Sequence, residues 1–285
     1  MKQKSLFPIF TKKDYKLHLG DSKQLIPKLP ISKTFDLVVT SPPYNIGKEY
    51  ESKTDFQSYI DWQESIIDEI IPRVKDTGSI CWQVGNYIPE QGQIYPLDIP
   101  LHNIFLKNKL KLRNRIVWSY GHGTHARKRF SGRYEVIMWY TKEDEYTFNL
   151  DPVRVPNKYP NKKHYSGPKK GEISSNPLGK NPSDIWDNIP NVKSNHVEKT
   201  DHPCQFPVGL IDRLVLSLTN EGDLVFDPFM GVASAGISAL HLGRKFEGIE
   251  LDKKYMKIAK ERIKKLERNE LQTRPHDKPI YQPKV

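Results

Sequence analysis

Apolar residues fall along the chain in two rhythms. Short β-rich runs bounded by turn residues lie at 35–40, 79–84, 115–120, 135–140, 224–229 and 246–251, and each predicts a strand. Helical periodicity falls between them, over 56–73, 209–218 and 235–242. A last helix is predicted to start with Asp252 as its N-cap, because Tyr255, Ala259, Ile263 and Leu266 then share one face and lysines the other. Strands alternating with helices predict an α/β fold with an open, doubly wound, mostly parallel sheet covered on both sides. In such sheets ligands bind beyond the carboxyl ends of the strands.

Two of the predicted strand ends carry chemistry. The first is Thr40-Ser41-Pro42-Pro43-Tyr44-Asn45. Two consecutive prolines fix φ and remove two backbone donors, so the chain leaves the strand rigidly with its carbonyls free to accept. With a Ser hydroxyl on one side and a Tyr ring on the other, such a turn can hold a planar, amine-bearing ring. Pro-Pro-Tyr alone would favour an ordinary strand-ending turn. The second end is Asp227-Pro228-Phe229-Met230-Gly231, followed by a small-residue helix and a strand that closes on Glu250. Strand, glycine turn, helix and strand with a terminal acid make half of a nucleotide-binding unit. Gly231 lets backbone approach a ligand, and Glu250, about twenty residues on, lies where an acid can bind ribose hydroxyls.

From about Leu17 to about Leu266 the chain resembles the amino-methylating DNA methyltransferases that use S-adenosylmethionine, in the subgroup whose catalytic motif precedes the cofactor motif. The resemblance implies a Rossmann-like methyltransferase fold. It assigns Ser41, Pro42, Pro43 and Tyr44 to the catalytic tetrapeptide, and Asp227, Pro228, Phe229 and Gly231 to the cofactor loop. Glu250 becomes the ribose-binding acid. Gly20-Asp21 matches the pair whose acid, Asp21, reaches the adenine. His202-Pro203, with Gln205 and Pro207, matches the stretch that wraps the methionine end. One departure stands out. The family loop usually continues Gly-Ser-Gly-Thr, and this chain has Gly231-Val232-Ala233-Ser234. Ala233 adds a Cβ where close backbone approach is expected. If the position needs a positive φ the cost is about 1 kcal/mol; otherwise it is a steric trim.

Composition sharpens the picture. A formal net charge of +11 over 285 residues points to a polyanionic partner. From Lys107 to Arg133 there are nine Lys or Arg and no Asp or Glu, interleaved with Trp118, Tyr120, His122, His125 and Phe130. From Arg154 to Lys199 there are nine bases against four acids. A solvated face usually mixes both signs, so these stretches point to phosphate contact, with Arg127, Lys128, Arg129, Lys162 and Lys163 as candidate contacts to double-stranded DNA. No run approaches the ~18 apolar residues of a membrane span, and Met1-Lys2-Gln3-Lys4 leads into no signal-like region. Two cysteines, Cys81 and Cys204, fit a reducing cytoplasm. No His/Cys cluster has zinc spacing, so no metal is expected.

Residues 151–201 are rich in Pro, Asn, Lys and Gly with little periodicity. A long irregular segment inside a compact domain is usually functional or disordered. Its position, between the catalytic and cofactor halves, is the one the resembling family gives to target recognition, with Trp186 as an anchor. The expected organisation is therefore 1–150 as the catalytic half, 151–201 as a DNA-recognition insertion, 202–272 as the cofactor half and 273–285 as a peripheral tail.

The implied reaction transfers a methyl group to an exocyclic amine, N4 of cytosine or N6 of adenine. Such an amine is a poor nucleophile because its lone pair is delocalised into the ring. Acceptors from Ser41 and the Pro42 carbonyl would hold its hydrogens and favour pyramidal nitrogen. The base must be flipped out, with Tyr44 as stacking partner. Cytosine C5 methylation would need a cysteine nucleophile; Cys204 has no activating partner in the sequence and reads as structural or incidental. In the resembling family Ser at the first motif position goes more often with N4-cytosine, which is the expectation here, with N6-adenine as the alternative. Methylation of RNA or protein, and a DNA-binding protein that has lost catalysis, stay open. A restriction nuclease and a second copy of the chain are candidate partners.

Overall fold

The computed structural model describes residues 10–32, 34–45, 54–89, 93–121, 125–276 and 278. His122 and most of the tail beyond His276 lie outside the described residues. In chain order the elements are β1 (Tyr15–Leu19), α1 (Ser22–Leu25), β2 (Phe35–Thr40), α2 (Phe56–Ile70), β3 (Val74–Val84), β4 (Asn86–Tyr87), β5 (Tyr95–Pro96), α3 (Asp98–Lys107), β6 (Lys111–Ser119), β7 (Tyr134–Thr141) and β8 (Ile185–Trp186). After β8 come α4 (Val208–Leu218), β9 (Leu224–Asp227), α5 (Ser234–His241), β10 (Lys245–Glu250) and α6 (Lys253–Glu267). The six strands and four helices expected from periodicity are all present.

Local chemistry explains the helix starts. Asp55 caps α2 by accepting from the Ser58 amide, and Asp252 caps α6 by accepting from the Lys254 and Tyr255 amides. Helix α2 runs into Ile71-Pro72, where the proline ends the regular ladder in a short 3-10 turn. Two larger elements escaped the sequence pattern. Strand β1 lies at the sheet edge and mixes exposed and half-buried residues, so its alternation is weak. Helix α3 carries Pro100 within its first turn, which masks its periodicity.

The sheet has eight strands in the order β1-β10-β9-β2-β3-β7-β6-β8. Every pairing is parallel except those of β7, which runs against both β3 and β6. This is the mostly parallel, Rossmann-like architecture expected of a methyltransferase. Strand β2 is buried along its whole length, and its side chains alternate between two cores. Leu37 and Val39 join α4, α5 and α6 through Ile211, Leu214, Ile237 and Ile263. Val38 joins α2 and α3 through Ile66, Ile67, Leu101 and Phe105.

Topology positions the site. From β2 the chain proceeds to β3 on one side, and from β9 to β10 on the other, so the strand order reverses between β2 and β9. Both predicted motifs leave the sheet at that point. Strand β1 also closes on β10, and the Gly20 amide donates to the Glu250 carbonyl at 2.9 Å, which brings the first and last described strands together.

The segment 151–201 is largely irregular, held by isolated bridges between Val155 and Lys180 and between Lys163 and Ile173. Trp186 is its fixed point. It sits in β8 on the sheet edge, buried, with Arg213 stacked 4.7 Å over its ring. The described tail residues are tied to the body: the Arg274 amide donates to Glu198 at 3.0 Å, and His276 Nε2 lies 2.7 Å from Asp212.

Candidate active site

Four parallel strands end side by side, and each delivers one predicted residue: β1 delivers Asp21, β10 Glu250, β9 Asp227 and β2 Ser41. They line a single cleft of about 680 Å³ together with Pro42, Pro43, Tyr44, His202, Pro228, Phe229 and Gly231. All eleven residues expected to act on cofactor or base therefore meet in one place.

The half of the cleft around Gly231 is built on tight backbone approach. Gly231 has φ +53, and a Cβ there would come 3.1 Å from His202 Nε2. Glycine is thus favoured both by conformation and by space. The His202 ring packs edge-on to Tyr255, with centroids 4.5 Å apart. Glu250 Oε1 accepts from the Asp252 amide at 2.7 Å, and burial pushes its carboxyl up to about 7. Asp227 is also buried and pushed up to about 7. Its Oδ1 accepts from the Thr40 hydroxyl at 2.6 Å and from the Phe229 amide at 3.0 Å. The Ser22 hydroxyl donates to the Pro228 carbonyl, and Phe229 packs against Trp62 with centroids 5.4 Å apart. Asp21 caps α1 by accepting from the Lys23 amide at 3.0 Å.

The departure at Ala233 is resolved here. Its φ is +59 and its ψ +42, so the left-handed conformation is kept without glycine. The residue is fully buried in the core and takes no part in lining the cleft. The strain falls on the start of α5, not on the cleft wall.

The second half holds an aromatic ring in a fixed pose. The Tyr44 hydroxyl lies 2.7 Å from Ser41 Oγ and donates to Glu135 Oε2 at 3.2 Å. The ring edge rests against Gly85, where an added Cβ would sit 3.1 Å from Cε2. Burial, then the adjacent Glu135, pushes the Tyr44 hydroxyl well above its ordinary value, so it stays protonated. Tyr59 donates to the Pro43 carbonyl at 2.9 Å, whereas no described donor is bonded to the Pro42 carbonyl.

Glu135, Gln83 and Gly85 were not singled out in the sequence. One signal was available: Glu135 is the first acid after the basic stretch and stands at the head of a buried strand. Gln83 and Gly85 carry no such mark. Cys204 is exposed and lines the cleft, and its amide donates to His202 Nδ1 at 3.2 Å.

The cationic residues are placed differently. Arg127, Lys128 and Arg129 are exposed between β6 and β7, at the same end of the sheet as the cleft and shortly before Glu135. Lys162 and Lys163 are exposed within the irregular segment. Among the described residues no helix is long and apolar enough to cross a membrane.

A family model for DNA methylases of the N6/N4 type matches residues 35–261. The chain belongs to the N6/N4 DNA methylase family. It is an S-adenosylmethionine-dependent DNA methyltransferase. The chain is 48% identical over 244 residues to the type II methyltransferase M.BglII of Bacillus subtilis, covering 86% of this chain and 67% of that one. It is 33% identical over 252 residues to the DNA adenine methyltransferase YhdJ of Escherichia coli, covering 86% and 81%. Among solved structures, the methyltransferase superposes on TTHA0409 of Thermus thermophilus, complexed with S-adenosylmethionine, with a TM-score of 0.63 at 25% identity over 88% of this chain and 94% of that one. The cradle at Gly231, the buried acid at Glu250 and the ring of His202 on Tyr255 fit a nucleoside with a charged tail, as that cofactor is.

Proposed function

We propose that the methyltransferase modifies an exocyclic amine of a flipped-out base at specific DNA sites, N4 of cytosine first and N6 of adenine as the alternative. The observation that carries this reading is the meeting of Ser41, Pro42 and Tyr44 with Glu250 and Gly231 in one cleft. Asp21 would reach the adenine of the cofactor, Glu250 its ribose hydroxyls, and His202 the methionine end beside the loop Asp227, Pro228, Phe229 and Gly231. When bound there, the cofactor supplies an electrophilic methyl group on sulfonium sulfur.

The protein's part is to orient the amine. Ser41 Oγ and the Pro42 carbonyl, which no described donor bonds, accept its two hydrogens, which turns the nitrogen lone pair out of the ring plane. Tyr44, pinned at its edge by Gly85 and at its hydroxyl by Ser41 and Glu135, offers a face for the base to stack on. Arg127, Lys128 and Arg129 stand at the same end of the sheet and would contact phosphates, with Lys162, Lys163 and the segment 151–201 reading the target. Similarity to a protein named a type II methyltransferase supports a restriction–modification setting, with a nuclease as functional partner.

The choice of base rests on Ser41. A neutral hydroxyl, 2.7 Å from the Tyr44 hydroxyl, suits a compact pyrimidine. Family membership does not choose, since one relative is named for adenine. Incubation with genomic DNA and labelled cofactor, followed by nucleoside mass spectrometry, tests the reading. N4-methylcytosine is expected; a dominant N6-methyladenine peak reverses the base assignment. Tyr44→Ala should abolish most turnover and leave cofactor affinity intact, and normal turnover in that variant would reduce the tetrapeptide to a structural turn.

A further inference from the structure

Two donors converge on one oxygen beside the tetrapeptide. The Tyr44 hydroxyl at 3.2 Å and the Gln83 side-chain amide both donate to Glu135 Oε2. Glu135 heads β7, Gln83 lies in β3 and is 3% exposed, and neither is part of the catalytic motif. An oxygen that accepts twice has no room for its own proton, so Tyr44 must spend its single hydroxyl hydrogen on Glu135. At the 2.7 Å contact between Ser41 Oγ and the Tyr44 hydroxyl, Ser41 is therefore the donor. That leaves Ser41 only lone pairs to present to the cleft.

We propose that Glu135 is a positioning residue that sets the direction of the Ser41–Tyr44 hydroxyl chain and is the group on which the proton lost by the target amine comes to rest. This rests on the amino-methylation reading above. Direction matters for a simple reason. With the chain reversed, the Ser41 hydrogen would point into the cleft and bond the nitrogen lone pair that has to attack. With the direction set by Glu135, Ser41 accepts from the amine and the lone pair stays free.

The same chain balances the reaction. The amine nitrogen bonds to the methyl carbon while the electron pair of the breaking C–S bond stays on sulfur, and the nitrogen becomes cationic. Its N–H proton passes to Ser41 Oγ, the Ser41 proton to the Tyr44 oxygen, and the Tyr44 proton to Glu135 Oε2. The products are a neutral methylamino base, neutral Ser41 and Tyr44, and a protonated Glu135 that returns its proton to water. Burial raises the Glu135 carboxyl above its ordinary value, which suits a group that must hold a proton briefly. The titratable groups that sense it are Tyr44 from the turn after β2 and Tyr120 just beyond β6; Cys204, from the segment before α4, acts on both tyrosines, and Arg133 on Tyr120.

Glu135→Gln keeps the shape and removes the proton acceptor. With cofactor and DNA both saturating, so that Asp227 and Glu250 no longer contribute through cofactor binding, kcat should fall roughly 10²-fold. KM for DNA and the calorimetric affinity for S-adenosylmethionine should not change. In the unmutated protein kcat should decline at low pH as Glu135 protonates, and this limb should be missing in Glu135→Gln. Tyr44→Phe should show the same loss and the same missing limb, and the double variant should be no worse than either single one, because the groups act as one chain. An unmutated rate in Glu135→Gln, a loss with the acid limb intact, or additive losses would each overturn the proposal. Should Glu135→Gln fail to bind cofactor, Tyr44→Phe decides alone, since an intact acid limb there removes the chain. If the unmutated protein methylates no DNA amine, the amino-methylation reading itself fails, which is a different result.

Discussion

The Thr40 hydroxyl donates to Asp227 Oδ1 at 2.6 Å, joining the residue before the tetrapeptide to the first residue of the cofactor loop across 187 positions of sequence. The bond spans the boundary between β2 and β9 where strand order reverses. It couples the half of the cleft proposed to hold the base to the half proposed to hold the cofactor.

Thr40→Val should destabilise the protein by about 1–3 kcal/mol, the range for stripping a donor from a buried acceptor. Asp227 titrates at about 7 when folded, against an ordinary carboxylate value of ~3.9. Between those values the folded state holds the extra proton, so this group's contribution to stability falls as pH rises through the window. The lost bond favours the ionised form. The destabilisation should therefore be largest once pH exceeds the folded value of about 7, and shrink toward acid, as read by urea unfolding at several pH values.

Cofactor affinity should depend on pH. On the proposed reading ribose hydroxyls donate to an ionised Glu250, whose carboxyl is pushed up to about 7, so affinity should be level above that value and fall as pH drops through it. Glu250→Gln should weaken binding by about 1–3 kcal/mol in the alkaline range, and should flatten most of the pH dependence in calorimetry. A dependence as steep as that of the unmutated protein would assign it to Asp227 instead.

Ala233→Gly should change little. Relief of the left-handed strain gains about 1–2 kcal/mol, while loss of a buried methyl costs about 0.8 kcal/mol and the freer unfolded chain a further ~0.4–1 kcal/mol. Stability should stay within about 1 kcal/mol by these terms, and cofactor affinity should not move because the residue does not line the cleft. A large gain in affinity would place Ala233 against the cofactor.

Gly85→Ala should act on turnover. Its Cβ would meet Tyr44 Cε2 at 3.1 Å and Cδ2 at 3.4 Å, so the ring must tilt and the hydroxyl contacts with Ser41 and Glu135 must lengthen. A lower kcat with unaltered cofactor affinity is expected from steady-state kinetics and calorimetry. Unchanged kcat would show that the pose of Tyr44 is not critical.

DNA affinity should be strongly salt-dependent, since phosphate contacts release counterions with a log-log slope of roughly −0.9 per neutralised phosphate. Replacing Arg127, Lys128 and Arg129 together by Ala should flatten that slope in binding titrations. An unchanged slope would move the contact face to the exposed lysines of 158–170.

Much of this protein is determined by sequence alone because its information is local. Period-two and period-3.6 patterns follow from which faces a strand or helix buries, so six strands and four helices were legible, with Asp252 as a cap. The tetrapeptide and the cofactor loop were legible too, because prolines and glycines dictate backbone conformation wherever they stand. Edge strand β1, half-exposed and weakly alternating, was not. What only the tertiary structure decided is which residues become neighbours. Parallel pairing of β1 with β10 and of β2 with β9 sets Asp21 beside Glu250 and Thr40 on Asp227, and reversal of β7 turns the head of that strand, Glu135, toward Tyr44. Pairing between strands depends on cores assembled from the whole chain, and no local pattern around Glu135 or Gln83 encodes it. The conformation of Ala233 was decided in the same way: packing of α5 into the core holds a non-glycine residue left-handed against its own preference.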